Sequence, residues 1–307
     1  MRGSTQKPRR SKKRPLIRAS IVLCISLIVA FVLWGCGQST QQQSTDPTQQ
    51  SSTATPATDT SDAPAVQLQI FAANSLERGL PEVQALYTTS HPNVTFADTQ
   101  FKASGDLVSE IQGGALPDIL ITASEGTMDT AQQDGSIDAN SRMDMFGNDL
   151  VIAKQSGSNI QITSLEDIKG NAISSIAIGD ADAVPAGTYA NQSLSTIGLY
   201  SDQSGKGGSY DAAFEPKVAI ASSVGNAAKY IETGDCQIGF VYSSDIYRFS
   251  GIEVAFVVPA DTHKPIVYPG AVLKDSQNAD VAADFLDFCI NNPDAQRIWS
   301  QYGFEVL

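Results

Sequence analysis

The sequence is poor in the residues from which most catalytic and metal sites are built. Only two of its 307 residues are histidine and four are cysteine. His91 and His263 do not fall in a metal-ligand pattern, and no G-x-S-x-G segment is present. Asp180 and Asp182 lack the ligand series of an EF-hand calcium loop. The pattern therefore argues against an enzyme, and no cofactor is expected.

The few cysteines also limit the fold. Cys24 and Cys36 lie near the N-terminus, which leaves Cys236 and Cys289 in the rest of the chain. A disulfide between these two remains open for an exported protein, but two cysteines do not make a disulfide-stapled scaffold. We expect both to be buried, reduced thiols.

Basic residues are scarce beyond the N-terminus. Eight of the 20 Lys and Arg residues fall in residues 1–18, where there is no acidic residue. The remaining chain carries twelve basic against 33 acidic residues, a net charge of −21. Nucleic acid and anionic membrane surfaces are therefore not expected partners. Any anion would have to be bound by local dipoles against an unfavourable overall field.

The N-terminus has the pattern of a secretory signal peptide. The basic stretch precedes an apolar run, Ala19–Trp34, which is short for a membrane span of about 20 residues. Leu33–Cys36 resembles a bacterial lipobox, in which the cysteine is lipidated and becomes the new N-terminus. We predict a signal peptide over residues 1–35 and lipidation of Cys36. An uncleaved membrane anchor is the alternative.

Residues 36–65 predict a flexible tether. After Cys36 the segment consists of Gln, Ser, Thr, Pro, Asp, Gly and Ala, with no large apolar side chain. Such a composition cannot bury enough apolar surface to offset the entropy of ordering the chain. We expect a disordered linker between the lipidated cysteine and the folded body.

The body of the chain, residues 66–307, alternates strand and helix patterns, which predicts an α/β protein. The predicted strands cover 66–72, 94–101, 118–122, 149–154, 174–179, 217–221, 236–242, 253–258 and 266–273. The predicted helices cover 76–89, 105–113, 125–133, 187–197, 224–233, 279–290 and 294–302.

Small or hydroxyl residues recur where a predicted strand gives way to a helix. They occur at Ser75, at Ser104, at Pro185–Gly187 and at Ser222–Val224. Ser75 is predicted to cap the helix over 76–89. Ligands of parallel sheets bind beyond the carboxyl ends of strands, and helix N-termini offer unpaired N–H groups and positive partial charge. Convergence of these ends would create an anion site.

Several segments resemble the periplasmic molybdate-binding proteins of ABC importers. They are FAANSL, FKASGDL, GGALPDILIT, GNDLVIA, IGDADAVPAGTYA, SSVGNAAKYIETGDCQIGFVYSSD, HKPIVYP and WSQYGF, in that order. The resemblance implies a two-lobed periplasmic-binding-protein fold of the class II type. Each lobe would be a mixed, mostly parallel sheet flanked by helices, with two crossing strands as the hinge. Lobe I would comprise 66–147 plus 269–307, and lobe II 148–268.

The resemblance also implies a ligand set for molybdate or tungstate. The oxyanion would be held by the hydroxyls of Ser75, Ser104 and Tyr242. Backbone N–H groups of Ser75, Ser104, Ala186 and Val224 would add to them, and no residue would ligate the metal directly. The set is chemically sensible because a tetrahedral dianion only accepts hydrogen bonds, so neutral donors and helix dipoles suit it.

The function that the resemblance implies is that of a high-affinity extracytoplasmic receptor. It would deliver molybdate or tungstate to the permease subunits of an ABC importer, as a monomer anchored to the cell membrane by its lipid. A receptor for another oxyanion such as sulfate remains the main alternative. A ferric receptor is disfavoured because such sites usually need several anionic ligands. A secreted hydrolase is disfavoured because it needs an activated base.

Replacing Cys36 with serine tests the predicted anchor. A serine hydroxyl cannot take the place of the lipidated thiol, so Cys36→Ser should block processing and leave an unacylated precursor. Metabolic labelling with a radioactive fatty acid measures this directly. Labelling of the variant at the level of the unaltered chain would rule out lipidation at this residue.

Overall fold

The computed structural model describes residues 64–307. The predicted signal peptide, Cys36 and all but the last two residues of the predicted linker lie outside the described residues. Within residues 64–307, no helix combines the length and the apolar character that crossing a membrane would require.

Strands and helices alternate along the described chain. The strands are β1 (Val66–Leu68), β2 (Ile70–Ala73), β3 (Val94–Phe96), β4 (Gln100–Lys102), β5 (Ile119–Ile121), β6 (Met143–Gly147), β7 (Leu150–Gln155), β8 (Ile176–Gly179), β9 (Val218–Ala221), β10 (Ile238–Tyr242), β11 (Ile252–Val257), β12 (Val267–Val272) and β13 (Glu305–Val306). The helices are α1 (Gly79–Ser90), α2 (Ser104–Gln112), α3 (Glu125–Gln133), α4 (Pro185–Thr196), α5 (Val224–Thr233), α6 (Ala279–Asn291) and α7 (Pro293–Gln301).

These elements form two large sheets. The six-stranded sheet has the order β13-β6-β12-β5-β2-β4, and the five-stranded sheet has the order β11-β7-β10-β8-β9. Parallel pairing is confined to β4-β2-β5 in one and to β10-β8-β9 in the other, and the remaining ladders of both are antiparallel. The expectation of an α/β protein with mixed sheets flanked by helices is confirmed. The expectation that parallel pairing predominates is wrong, because three of the five ladders of the six-stranded sheet and two of the four ladders of the five-stranded sheet are antiparallel.

We use the term first half for the six-stranded sheet with α1, α2, α3, α6 and α7, and second half for the five-stranded sheet with α4 and α5. The chain passes from the first half to the second between β6 and β7 and returns between β11 and β12. The predicted lobe boundaries lie at 147/148, on the first passage, and at 268/269, just inside β12. The lobe assignment itself stays a prediction.

Aromatic side chains attach the C-terminus to the core of the first half. Trp299 of α7 is fully buried, with its ring centroid 4.3 Å from that of Phe146 and 5.7 Å from that of Phe304. Its indole N–H donates to the carbonyl of Cys289 at 3.0 Å. The last residues of the chain are therefore part of the fold of the first half.

Cys236 and Cys289 are both free and buried. Burial raises the pKa of the Cys289 thiol well above its usual value. The expectation of reduced thiols agrees with this arrangement, in which Cys236 precedes β10 of the second half and Cys289 lies in α6 of the first.

Two predicted strands are each divided in the structure. The predicted strand 66–72 forms β1 and β2, and 94–101 forms β3 and β4. The first parts pair with each other in a separate two-stranded sheet, while the second parts join the six-stranded sheet. At the first division, the Gln69 N–H donates to the Asp118 carboxylate at 2.8 Å. Apolar alternation does not reveal such a change of sheet.

Two strands of the first sheet, β6 and β13, were not predicted. The sequence of β6 is MDMFG, whose single acidic residue interrupts the apolar run, and β13 has only two residues. Both are defined by their antiparallel pairing rather than by a strong local pattern.

The predicted N-cap role of Ser75 is wrong. Helix α1 begins at Gly79, and Ser75 lies in a separate 3-10 turn over Asn74–Leu76 without a side-chain cap. Pro81 explains the later start. In a helix beginning at residue 76 it would lack the N–H for the carbonyl of Glu77, whereas in a helix beginning at Gly79 it occupies the first turn, where that N–H is not needed.

A close backbone approach places the N-terminus of α4 against the end of β8. A Cβ atom added to Gly187 would lie 1.9 Å from the carbonyl oxygen of Gly179, and a Cβ on Gly179 would lie 2.6 Å from a Val184 methyl. Because the obstructing atom at Gly187 is backbone, rotation of a side chain cannot relieve the clash. Only glycine lets this helix begin so near the strand.

Gly187→Ala should therefore lower the free energy of unfolding by about 1–3 kcal/mol or more, since about 1–3 kcal/mol is the usual cost of overpacking. Gly126→Ala is the matched control because Gly126 also lies in the first turn of a helix, α3, and its added Cβ meets nothing within 4 Å. That variant should be neutral or slightly more stable. Chemical denaturation of both proteins measures the difference, and equal stabilities would refute the proposed clash.

Candidate functional site

A small cavity lies between the two halves, where strands end and helices begin. Its volume is about 10 Å³, far below the roughly 300–1,000 Å³ of pockets for drug-sized ligands. All five predicted ligand-binding residues line it: Ser75, Ser104, Ala186, Val224 and Tyr242. The structure thus brings together residues that are up to 167 positions apart in the sequence. A cavity of this size leaves no room for an organic ligand in this arrangement of the halves.

Ser75 reaches the cavity from the 3-10 turn that follows β2. The residue is 2% exposed, and its Oγ lies 2.9 Å from the hydroxyl of Tyr268. Because each hydroxyl carries one hydrogen, only one of the two donates in this contact. If Tyr268 donates, the proton of Ser75 remains available to a group in the cavity.

Ser104 is the first residue of α2, with Ala103 at the N-cap position. It is 1% exposed, and its Oγ accepts a hydrogen bond from the N–H of Ala123 at 3.0 Å. Since an N–H can only donate, this contact leaves the Ser104 hydroxyl hydrogen free. Ser104 therefore can offer both a hydroxyl donor and the N–H of a first helical turn.

The second half contributes two helix N-termini. Ala186 is the second residue of α4, and Val224 is the first residue of α5. N–H groups in the first turn have no acceptor within their own helix and lie at the positive end of its dipole. The N-cap Ser223 accepts from the N–H of Asn226, two residues beyond Val224. Ser223 therefore caps α5 without using the N–H of Val224.

Tyr242 ends β10 and is 1% exposed. Its hydroxyl is buried and has no hydrogen-bond partner among the described residues. Burial raises the pKa of this hydroxyl well above its usual value. Tyr242 is therefore a neutral donor at physiological pH, and its proton is not committed to another protein group.

The cationic side chains around the cavity are paired with carboxylates. Lys102, which also lines the cavity, forms an ion pair with Glu110. Arg248 forms ion pairs with Asp245 and Glu77. Burial alone would lower the pKa of Arg248, but these two carboxylates raise it overall. The groups left to act on an ion in the cavity are mainly neutral donors.

Direct contacts between the halves close the rim of the cavity. The Gly105 N–H of α2 donates to the carbonyl of Ala183 at 2.9 Å. The Gly225 N–H of α5 donates to the side-chain oxygen of Asn74 at 3.1 Å, and Arg248 reaches Glu77 at 2.6 Å. These bonds hold the donors of both halves around one small volume.

Sequence reasoning missed three residues of this region. Asn74 lines the cavity and bridges the halves, Tyr268 contacts Ser75, and Asn148 contacts Tyr268 at 3.3 Å. Asn74 directly precedes Ser75, so its position in the motif offered a signal. Asn148 lies on the first passage between the halves and Tyr268 lies at the start of β12, just after the second passage, and nothing in their local sequence indicates that they meet Ser75.

Two tyrosine substitutions should distinguish a hydroxyl that has no protein partner from a hydroxyl whose hydrogen bonds stabilise the fold. In the ligand-free protein, Tyr242→Phe removes a hydroxyl without a protein partner and should leave the free energy of unfolding unchanged or raise it. Tyr268→Phe removes a hydroxyl that contacts Ser75 and Asn148, and should lower it by about 1–3 kcal/mol. Denaturant titration compares them, and a larger loss for Tyr242→Phe would contradict the geometry.

The comparisons with known proteins agree with this geometry. The family described as bacterial extracellular solute-binding protein matches residues 68–305. The molybdate-binding protein ModA of Escherichia coli strain K12 is 31% identical over 245 residues, covering 78% of this chain and 89% of ModA.

Two solved structures have the same fold. The substrate-binding domain of a proposed molybdenum ABC transporter from Clostridium difficile is 28% identical, with a TM-score of 0.59, and the match covers 79% of this chain and 99% of that one. The sulfate-binding protein SubI of Mycobacterium tuberculosis H37Rv has a TM-score of 0.65 at 17% identity, over 79% and 87% of the two chains. At that identity the likeness shows the fold alone.

The two-sheet architecture is thus the two-lobed fold of periplasmic binding proteins, as expected from the sequence. The family match spans nearly all of the described residues, and the family is a transport component rather than an enzyme. The chain belongs to the bacterial extracellular solute-binding protein family.

Proposed function

We propose that this chain is the receptor that binds molybdate, and also tungstate, in the cavity between its halves and delivers it to an ABC importer. The observation that carries the proposal is the buried hydroxyl of Tyr242, which has no partner among the described residues and lines the cavity. The hydroxyls of Ser75 and Ser104 and the first turns of α4 and α5 border the same volume.

The chemistry of the lining favours an oxyanion over a cation. None of the residues that line the cavity is a carboxylate, a histidine or a cysteine. A ferric or divalent cation would therefore find no anionic ligand there, whereas a tetrahedral dianion would find donors on all sides. The name of the Escherichia coli relative, a molybdate-binding protein, supports molybdate as the dianion.

We further propose that the halves act as two lobes, 66–147 plus 269–307 and 148–268, that separate to admit the ligand. Ser75 and Ser104 belong to the first, and Ala186, Val224 and Tyr242 to the second. An ion that bonds to both sets stabilises the closed arrangement only, which is the thermodynamic condition for ligand-driven closure. The two passages between the sheets would serve as the hinge.

The cellular context follows from the same proposal. A receptor of this family works outside the cytoplasm, and the lipobox-like Cys36 would anchor it to the cell membrane through a lipid. The permease subunits of the importer would be its protein partners, and it would act as a monomer. No cofactor is needed, because the bound oxyanion is cargo.

Sulfate is the alternative ligand, since the fold is shared with a sulfate-binding protein and donor chemistry alone does not separate the two dianions. Discrimination between molybdate and sulfate must therefore come from the size of the ion. Donors positioned to reach the oxygens of molybdate or tungstate could not all reach those of the smaller sulfate. A buried donor left without a hydrogen bond reduces the affinity.

Calorimetry on the protein that lacks residues 1–35 tests the ligand. Molybdate and tungstate should bind tightly and sulfate much more weakly. Ser104→Ala should weaken molybdate binding by roughly 10- to 150-fold, because a hydrogen bond to a charged group contributes about 1.5–3 kcal/mol. Ser109→Ala is the matched control, since Ser109 is exposed on the same helix and its hydroxyl donates to the Gly105 carbonyl.

Thermal unfolding provides a second readout. Ligand at about 1,000 times its dissociation constant should stabilise the fold by roughly 4 kcal/mol. Ser75→Asp should remove this effect because it places a negative charge in the cavity. Absence of any response to molybdate and tungstate, or equally tight binding of sulfate, would overturn the proposal.

A further inference from the structure

Asn148 lies on the first passage between the halves, directly after β6, and its side-chain amide is fully engaged. The amide oxygen accepts from the Asp149 N–H at 2.9 Å and from the Ser243 hydroxyl at 2.8 Å. The amide nitrogen donates to the Ser244 hydroxyl oxygen at 2.9 Å and to the Tyr268 hydroxyl oxygen at 3.3 Å. Since a backbone N–H can only donate, the Asp149 contact fixes which end of the amide is oxygen.

This orientation determines the direction of the next hydrogen bond. The Tyr268 hydroxyl receives a hydrogen from Asn148, so its own hydrogen is directed elsewhere. Among the described residues, the Ser75 Oγ at 2.9 Å is the only other group in hydrogen-bond geometry with this hydroxyl, because the nearby Tyr242 hydroxyl makes no hydrogen bond. Burial raises the pKa of Tyr268 well above its usual value, so the hydroxyl keeps its proton. Tyr268 therefore donates to Ser75.

The series of hydrogen bonds from Asn148 through Tyr268 ends at Ser75. Its oxygen accepts from Tyr268, and its one hydrogen is left for the cavity that the residue lines. If the series ran in the opposite direction, Ser75 would donate to Tyr268 and turn a lone pair toward the cavity. In the first direction Ser75 attracts a bound anion with its hydrogen, and in the second it repels the anion with its lone pair.

We propose that Asn148 is a positioning residue, which acts through Tyr268 to fix the Ser75 hydroxyl as a donor to the bound oxyanion. This rests on the proposed function for the identity of the ligand. Asn148 does not line the cavity. Its side chain hydrogen-bonds to Ser243 and Ser244, which follow Tyr242, and to Tyr268, which contacts Ser75. One amide thereby connects the segment that follows Tyr242 in the second half with the Ser75 donor of the first half.

Asn148→Asp reverses the series. A carboxylate only accepts, so Tyr268 would donate to residue 148, Ser75 would donate to Tyr268, and an oxygen lone pair would face the ligand. We expect molybdate binding to weaken by about 10-fold or more, the effect of losing a hydrogen bond to a charged group. Asn159→Asp, the same charge change at an exposed residue, is the control and should change affinity little.

A double-mutant cycle separates positioning from a general effect of the new charge. In a Ser75→Ala background there is no hydroxyl left to orient, so Asn148→Asp should then weaken molybdate binding by less than about 3-fold. A direct effect of the charge, or a loosened fold, would persist in that background. Calorimetric titration of the four proteins with molybdate measures the cycle, and unfolding temperatures show that each is folded.

Every outcome has a defined meaning. A similar loss in both backgrounds, or none in either, overturns the role of Asn148. If Asn148→Asp does not fold, Tyr268→Phe replaces it in the same cycle, because it removes the donor to Ser75 without adding charge, and its effect must likewise depend on Ser75. If the unaltered protein fails to bind molybdate or tungstate, the proposed function fails first, and that result is distinct from a failed cycle.

Discussion

The site depends on one constraint, which is that groups facing the cavity must be able to donate hydrogen bonds. A buried tetrahedral dianion has acceptors on every side and no hydrogen to offer, so an inward-facing lone pair would cost binding free energy. The Ser104 oxygen already accepts from the Ala123 N–H, and the Tyr242 hydroxyl keeps its proton because burial raises its pKa. Contacts behind the cavity thus determine the chemistry inside it.

The same constraint explains how an acidic protein can hold an anion. The cations near the cavity are paired: Arg248 with Asp245 of its own half and Glu77 of the other, and Lys102 with Glu110. Their charges are largely neutralised locally, and Arg248 serves to bridge the halves. Helix N-termini then supply the remaining positive potential at short range, where the net charge of the chain matters little. The groups that bridge the halves therefore differ from the groups that would bind the anion.

Much of this arrangement could be predicted from the sequence because the signals are local. The strand-to-helix junctions at Ser104, Ala186 and Val224 follow from apolar periodicity and turn residues, and the structure places all three at the cavity. Helix α1 begins three residues later than predicted because Pro81 fits only in the first turn of a helix. Strands β6 and β13 are defined by pairing with distant strands, so single-sequence patterns could not reveal them.

The contacts that orient the donors are long-range for a physical reason. Tyr268 is 193 residues from Ser75 and 120 from Asn148, since Ser75 follows β2, Asn148 lies between β6 and β7, and Tyr268 lies in β12. A hydroxyl in a rigid, buried position needs neighbours from several elements to fix its direction, because its own strand or turn can supply only one side. Asn148 on the first passage and Tyr268 directly after the second passage supply those neighbours for Ser75. Under the proposed closure, the segments next to the hinge would therefore also set the polarity of the site.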